Sequence, residues 1–144
     1  MEWYRSITKK KSVVTQEEYE TLAAFRYQLR QFLRFSEEAA QSVGLTPQQH
    51  QALLTIKGFP ARDYVTIGEL AEWLQIKHHS AVGLVNRLVA QKLVTRMTGV
   101  EDRRQVYITL TPQGTHILSE LTAAHKEEVQ RIRSTLQQLL DRLQ

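Results

Sequence analysis

Between Thr66 and Leu110 the hydrophobic period changes from that of a helix to that of a strand, and this switch constrains the fold more than any other feature. Thr66-Ile67-Gly68-Glu69 has the form of a capping box. It opens a short helix that carries Ile67, Leu70, Ala71 and Leu74 on one face and ends near Gln75. A second helix, from about Lys77 to Gln91, places Ala81, Leu84, Val85 and Leu88 at i, i+3, i+4 and i+7, all pointing inward. Two short helices with matched apolar faces across a tight turn predict a helix-turn-helix. Leu93 to Met97, a polar stretch from Thr98 to Arg104, and the alternating Val106, Ile108 and Leu110 then predict a hairpin with a basic tip. A helix-turn-helix followed by such a hairpin is a winged helix.

The flanking sequence is helical. From Gln16 to about Val43, Leu22, Phe25, Leu29, Phe32, Ser36, Ala39 and Val43 recur at 3,4 spacing, and Gly44 ends the run. Thr46-Pro47-Gln48-Gln49 opens a helix through Leu53, Leu54 and Ile56 that stops near Gly58 and Pro60. Thr111-Pro112 caps a helix to about Ala124, and residues 126 to 143 form a separate last helix with a seam of Val129, Ile132, Leu136, Leu139 and Leu143. That seam is too apolar for a lone terminal helix, so a homodimer is expected. The expected fold is mainly α with a small β-hairpin wing. It is a single winged-helix domain over 1–144, with 1–45 and 111–144 as dimerisation helices and 46–110 as the DNA-binding winged helix-turn-helix.

Composition narrows the function. At 144 residues the chain holds one packed domain and no multidomain enzyme. Without cysteine it has no disulfide, thiolate metal site or cysteine nucleophile. No window approaches a membrane span and the N-terminus lacks a signal-peptide layout, so a cytoplasmic protein is expected. The net charge of +4 is concentrated: residues 1–15 hold four basic side chains against one acidic, and residues 61–110 seven against five. That distribution favours an acidic partner. No nucleophile with its base, phosphate loop or paired carboxylate is found. Glu17-Glu18, Glu37-Glu38 and Glu127-Glu128 diverge around their helices, so no enzyme and no cofactor are expected.

The outward stripe of the second short helix is His79, Gly83, Asn86 and Ala90, flanked by Ser80, Val82 and Arg87. Small and hydrogen-bonding side chains let a helix sit deep in the major groove of double-stranded DNA. There Asn can pair with adenine, His or Arg with guanine, and Val with a thymine methyl. Lys77 and His78 at the helix start suit a phosphate. The hairpin tip, Asp102-Arg103-Arg104, can reach the neighbouring minor groove, whose negative potential attracts arginine. The bland reading of both features is a solvated surface, but their order along the chain favours DNA.

These segments resemble the MarR (multiple antibiotic resistance regulator) family over about Gln16 to Leu143. The resemblance lies in Thr66 to Ala71, His78 to Leu88, and above all the wing motif of Asp102 and Arg104 followed by Leu110-Thr111-Pro112-Gln113-Gly114. It implies a homodimeric transcription regulator with Arg104 as the minor-groove arginine and Asp102 as its orienting partner. Lys92 departs from the pattern, since the family commonly has glycine after the recognition helix. The resemblance further implies a repressor released from a pseudo-palindromic operator by a small aromatic or phenolic ligand. Phe32 of the first helix, with Arg26, Arg30 or His50 as partner for a carboxylate, is the expected ligand site.

Among the five histidines, only His116 with Glu120 at i+4 looks like a metal fragment, and no metal site is expected. The aromatic N-terminal third, with Trp3, Tyr4, Tyr19, Phe25, Tyr27, Phe32 and Phe35, reads most simply as dimer core, with a pocket wall as the sharper alternative. The competing function is a helical dimerisation or adaptor module without sequence-specific DNA binding.

Overall fold

The computed structural model describes residues 13–99 and 102–144. The basic N-terminal arm, Trp3 and Tyr4, and the tip residues Val100 and Glu101 lie outside the described residues. Helix α1 (Gln16–Ser42) starts at Thr15, whose Oγ1 accepts the Glu18 N–H at 3.1 Å. Helix α2 (Pro47–Gly58) and helix α3 (Ile67–Leu74) each open on a complete capping box. In α2, Thr46 pairs with Gln49, and in α3, Thr66 pairs with Glu69. Strand β1 (Tyr64–Val65) precedes α3, and helix α4 (His78–Ala90) follows it. Strands β2 (Val94–Thr98) and β3 (Val106–Leu110) form the wing, and helix α5 (Pro112–Asp141) closes the chain.

The sheet has three antiparallel strands in the order β1-β3-β2, one more than the expected hairpin. β1 is only two residues long and has no alternation to read. It pairs Tyr64 with Thr109 and Val65 with Ile108, and it buries Val65 completely.

A second difference is that α5 is one helix, not two. No glycine or proline near His125 interrupts it. Its covered stripe runs continuously through Gly114, Leu118, Leu121, His125, Glu128, Ile132, Leu136 and Leu139. The half-buried Glu128 hides that continuity, because the apolar pattern alone selects Val129, which is 47% exposed.

Three helices end in the same way, with a left-handed residue whose successor donates back to a carbonyl five residues earlier. Gly44 (φ 78°), Gln75 (φ 55°) and Lys92 (φ 61°) hold these positions, and Leu45, Ile76 and Leu93 donate to Ala40, Ala71 and Leu88. Only the first is glycine, the residue that adopts this conformation without a Cβ penalty.

The chain forms two compact units. One contains α1 through Leu33 with Val129–Gln144, and the other is Arg34–Glu128. The second unit holds the main core, in which Leu53, Ile56, Leu70, Leu84, Leu88 and Ile108 are almost wholly buried. In the first, Thr21, Ile132 and Leu139 are buried, while Leu22, Leu29, Leu33, Val129 and Leu140 are each at least 39% exposed. Among the described residues, no helix is long and apolar enough to cross a membrane.

Candidate nucleic-acid interface

Helix α4 buries Ala81, Leu84, Val85 and Leu88 against the core, so the remaining residues are turned outward by helical geometry. Lys77, His78, His79, Asn86 and Arg87 are exposed, and Ser80, Val82 and Gly83 are half-covered. Lys77, at the N-cap, makes no side-chain capping bond, which leaves the first N–H groups of α4 without that partner. A Cβ on Gly83 would lie 3.8 Å from Arg87 Nη2, so the guanidinium folds back one turn over the glycine.

The wing presents its charge at the tip. Asp102 Oδ1 accepts from the backbone N–H of Arg104 at 3.0 Å and from its Nε at 3.2 Å. The outer guanidinium nitrogen Nη2 donates to Oδ2 at 3.4 Å. These bonds to the ionised carboxylate, the backbone one first, hold Asp102 below the usual carboxylate range. Arg104 is itself 92% exposed at the side chain, so its charge is aimed and solvated at once. Arg103 is also exposed. At the loop base, Gly99 N–H donates to Gln105 O at 2.8 Å, and Gln105 N–H donates to Asp102 O at 3.0 Å. A Cβ on Gly99 would lie 2.5 Å from Asp102 O, so the loop closes only over glycine.

α4 and the wing belong to the same unit, and a side chain absent from the sequence reading connects them. Arg96 of β2 donates through Nη2 to Asn86 Oδ1 on α4. Strand parity carries the signal: Arg96 lies two residues from the buried Val94 and opposite the buried Ile108, and therefore on the side of the sheet that faces the core.

Arg26 and Arg30 are exposed one turn apart on α1, whereas Phe32 points about 200° around the helix from Arg30 and is half-buried. His50 belongs to the other unit and is only 2% exposed. Burial first, and the neighbouring His125 second, push its pKa below the usual 6.5, which favours the neutral ring. The two rings lie 4.8 Å apart, and His125 Nε2 sits 2.8 Å from Ser36 Oγ. His116 and Glu120 form an exposed pair at 3.2 Å, and no group of three His, Asp or Glu that could hold a metal ion occurs among the described residues.

Residues 43–105, from the end of α1 to the wing tip, match the MarR family. Over this winged-helix segment the chain is similar to the MarR family. The MarR-type match is accompanied by two regulators of similar sequence. One is the HTH-type transcriptional repressor MdtR of Bacillus subtilis, 27% identical over 99 residues, 69% of this chain and 62% of MdtR. The other is the transcriptional activatory protein BadR of Rhodopseudomonas palustris, 28% identical over 79 residues, 55% of this chain and 45% of BadR. The alignments thus span about half to three-fifths of these curated relatives. Among solved structures, YusO of Bacillus subtilis superposes with a TM-score of 0.66 at 22% identity, covering 90% of this chain and 92% of YusO. A MepR variant from Staphylococcus aureus bound to an oligodeoxyribonucleotide gives 0.67 at 21%, covering 85% and 96%. At these identities the structural likeness establishes the fold: mainly helical, with a three-stranded antiparallel wing.

Proposed function

We propose that this chain is a homodimeric DNA-binding transcription regulator. In this reading α4 enters the major groove of a pseudo-palindromic site and the wing arginine enters the adjacent minor groove. The observation that carries it is the pairing, within one unit, of an α4 face free of large apolar side chains with an arginine held by a carboxylate at an exposed wing tip. Half-sites about one helical turn, roughly 10 bp, apart follow from the two-fold symmetry of a dimer. Lys77, His78 and Arg103 serve phosphates, while His79, Ser80, Val82, Gly83, Asn86 and Arg87 face the bases.

Release by a small aromatic or phenolic anion belongs to the same proposal, with the exposed pair Arg26 and Arg30 as its carboxylate partner. Regulators similar to this chain act in both directions, MdtR as a repressor and BadR as an activatory protein.

The test is a salt titration of duplex binding by fluorescence anisotropy, comparing the wild type with Arg104→Ala and Asp102→Ala. Loss of the arginine is expected to weaken binding to most sequences and to reduce the salt slope by about one. Loss of the carboxylate should do so less. Binding by Arg104→Ala equal to the wild type at every salt concentration would remove the wing from the mechanism, and no salt-dependent duplex binding at all would leave the helical adaptor reading.

A further inference from the structure

The hydrogen bond between the wing and α4 bears on which base the helix reads. Arginine has five N–H donors and no acceptor, so its contact with Asn86 sets the orientation of the amide: Oδ1 faces Arg96 and the Nδ2 group is left to the exterior. A free asparagine recognises adenine with both ends of its amide, accepting from N6 and donating to N7. Here the accepting end is engaged. The second lone pair of Oδ1 lies beside a guanidinium whose positive charge opposes an incoming amino hydrogen. What remains outward is a surface of donors: the two Nδ2 hydrogens and the unused guanidinium hydrogens of Arg96.

We propose that Arg96 is a specificity-determining residue that converts Asn86 from an adenine reader into a donor-only reader of guanine, whose N7 and O6 are two adjacent acceptors in the major groove. This rests on the DNA-binding reading above. It adds a constraint which that reading does not contain, since α4 alone would favour adenine opposite Asn86. Arg96 reaches this position because β2 and β3 pair it with the core-facing Ile108, so its stem runs along the sheet toward α4 and its head emerges beside Asn86. Both residues are exposed, so exchanging either removes no core packing.

The experiment is a binding-site selection from a random duplex pool with the full chain and three variants. Asn86→Ala identifies the base pair that Asn86 reads, as the position whose preference disappears. The wild type is expected to select guanine there. Arg96→Met keeps the stem and removes every donor, and should shift that one position toward adenine by roughly tenfold while the others stay unchanged. Arg96→Lys restores a charged donor and should retain guanine, a rescue that a merely structural contact would not produce. Adenine in the wild-type site, or an Arg96→Met selection that only weakens uniformly, overturns the inference. So does an Asn86→Ala selection identical to the wild type. Failure of the wild type to enrich any site overturns the DNA-binding reading itself, an outcome distinct from the other three.

Discussion

Lys92 and Gly114 are two positions where a single backbone requirement meets the opposite side chain. Lys92 sits at φ 61° after α4, in the left-handed region that costs a residue with a Cβ about 1–2 kcal/mol. Lys92→Gly should therefore stabilise the chain, by about 0.5–1 kcal/mol once the extra freedom of glycine in the unfolded state is subtracted. A urea midpoint at or below that of the wild type would contradict this. Gly114 is the reverse case. A Cβ there would lie 2.1 Å from the carbonyl oxygen of Leu93, which also accepts the Thr111 N–H at 3.0 Å. Thr111 caps α5 through its hydroxyl, accepting Gly114 N–H at 3.0 Å and donating to Lys92 O at 2.7 Å. Gly114→Ala would push α5 off the start of β2, and a loss of about 1–3 kcal/mol is expected in chemical denaturation. The wing motif Leu110-Thr111-Pro112-Gln113-Gly114 thus has a physical content: one cap and one close approach.

At the scale of elements, the second unit is held at its base by an imidazole pair. His50 of α2 packs against His125 of α5, and Phe35 meets His125 edge-on at 5.2 Å. The bond from His125 Nδ1 to the Leu121 carbonyl, at 2.6 Å, requires the proton on Nδ1, so Nε2 accepts from Ser36 while the ring is neutral. Because the folded pKa of His50 lies below its unfolded value, the folded state binds fewer protons across that window. Stability is full above about pH 6.5 and falls as the pH drops from there toward the folded pKa. Thermal unfolding from pH 7.5 to 5 should show this decline, and His50→Gln should flatten it while lowering stability at pH 7.5. An unchanged pH profile in that variant would assign the decline to other groups.

At the scale of the whole molecule, the proposed homodimer would cover the exposed apolar residues of the first unit. Leu22, Leu29, Leu33, Val129 and Leu140 are water-facing in the isolated chain, whereas Ile132 and Leu139 are buried within it. Substitution of the exposed set separates dimerisation from folding. Leu33→Asp with Leu140→Asp should leave the helical circular dichroism largely intact and halve the mass in sedimentation. Each leucine buried between copies contributes about 1.5–3 kcal/mol. A double variant with the wild-type dimer mass would show that these residues do not form the interface.

What the sequence determined by itself is what local chemistry controls. The capping boxes at Thr46 and Thr66, the inward face of α4 and the alternation of β3 are set by neighbours a few residues apart, and helix and strand periodicity reports them directly. Tertiary structure alone decided the features that depend on partners distant in sequence. β1 exists because Val65 finds Ile108, the covered stripe of α5 passes through a half-buried Glu128 where the apolar pattern selects the exposed Val129, and the His50 pKa is lowered because the fold encloses it beside His125. The Arg96 contact belongs to the same class. Strand parity in the sequence sets its direction, but only the packing of the sheet against α4 brings its guanidinium to Asn86, ten residues away along the chain and one hydrogen bond away in space.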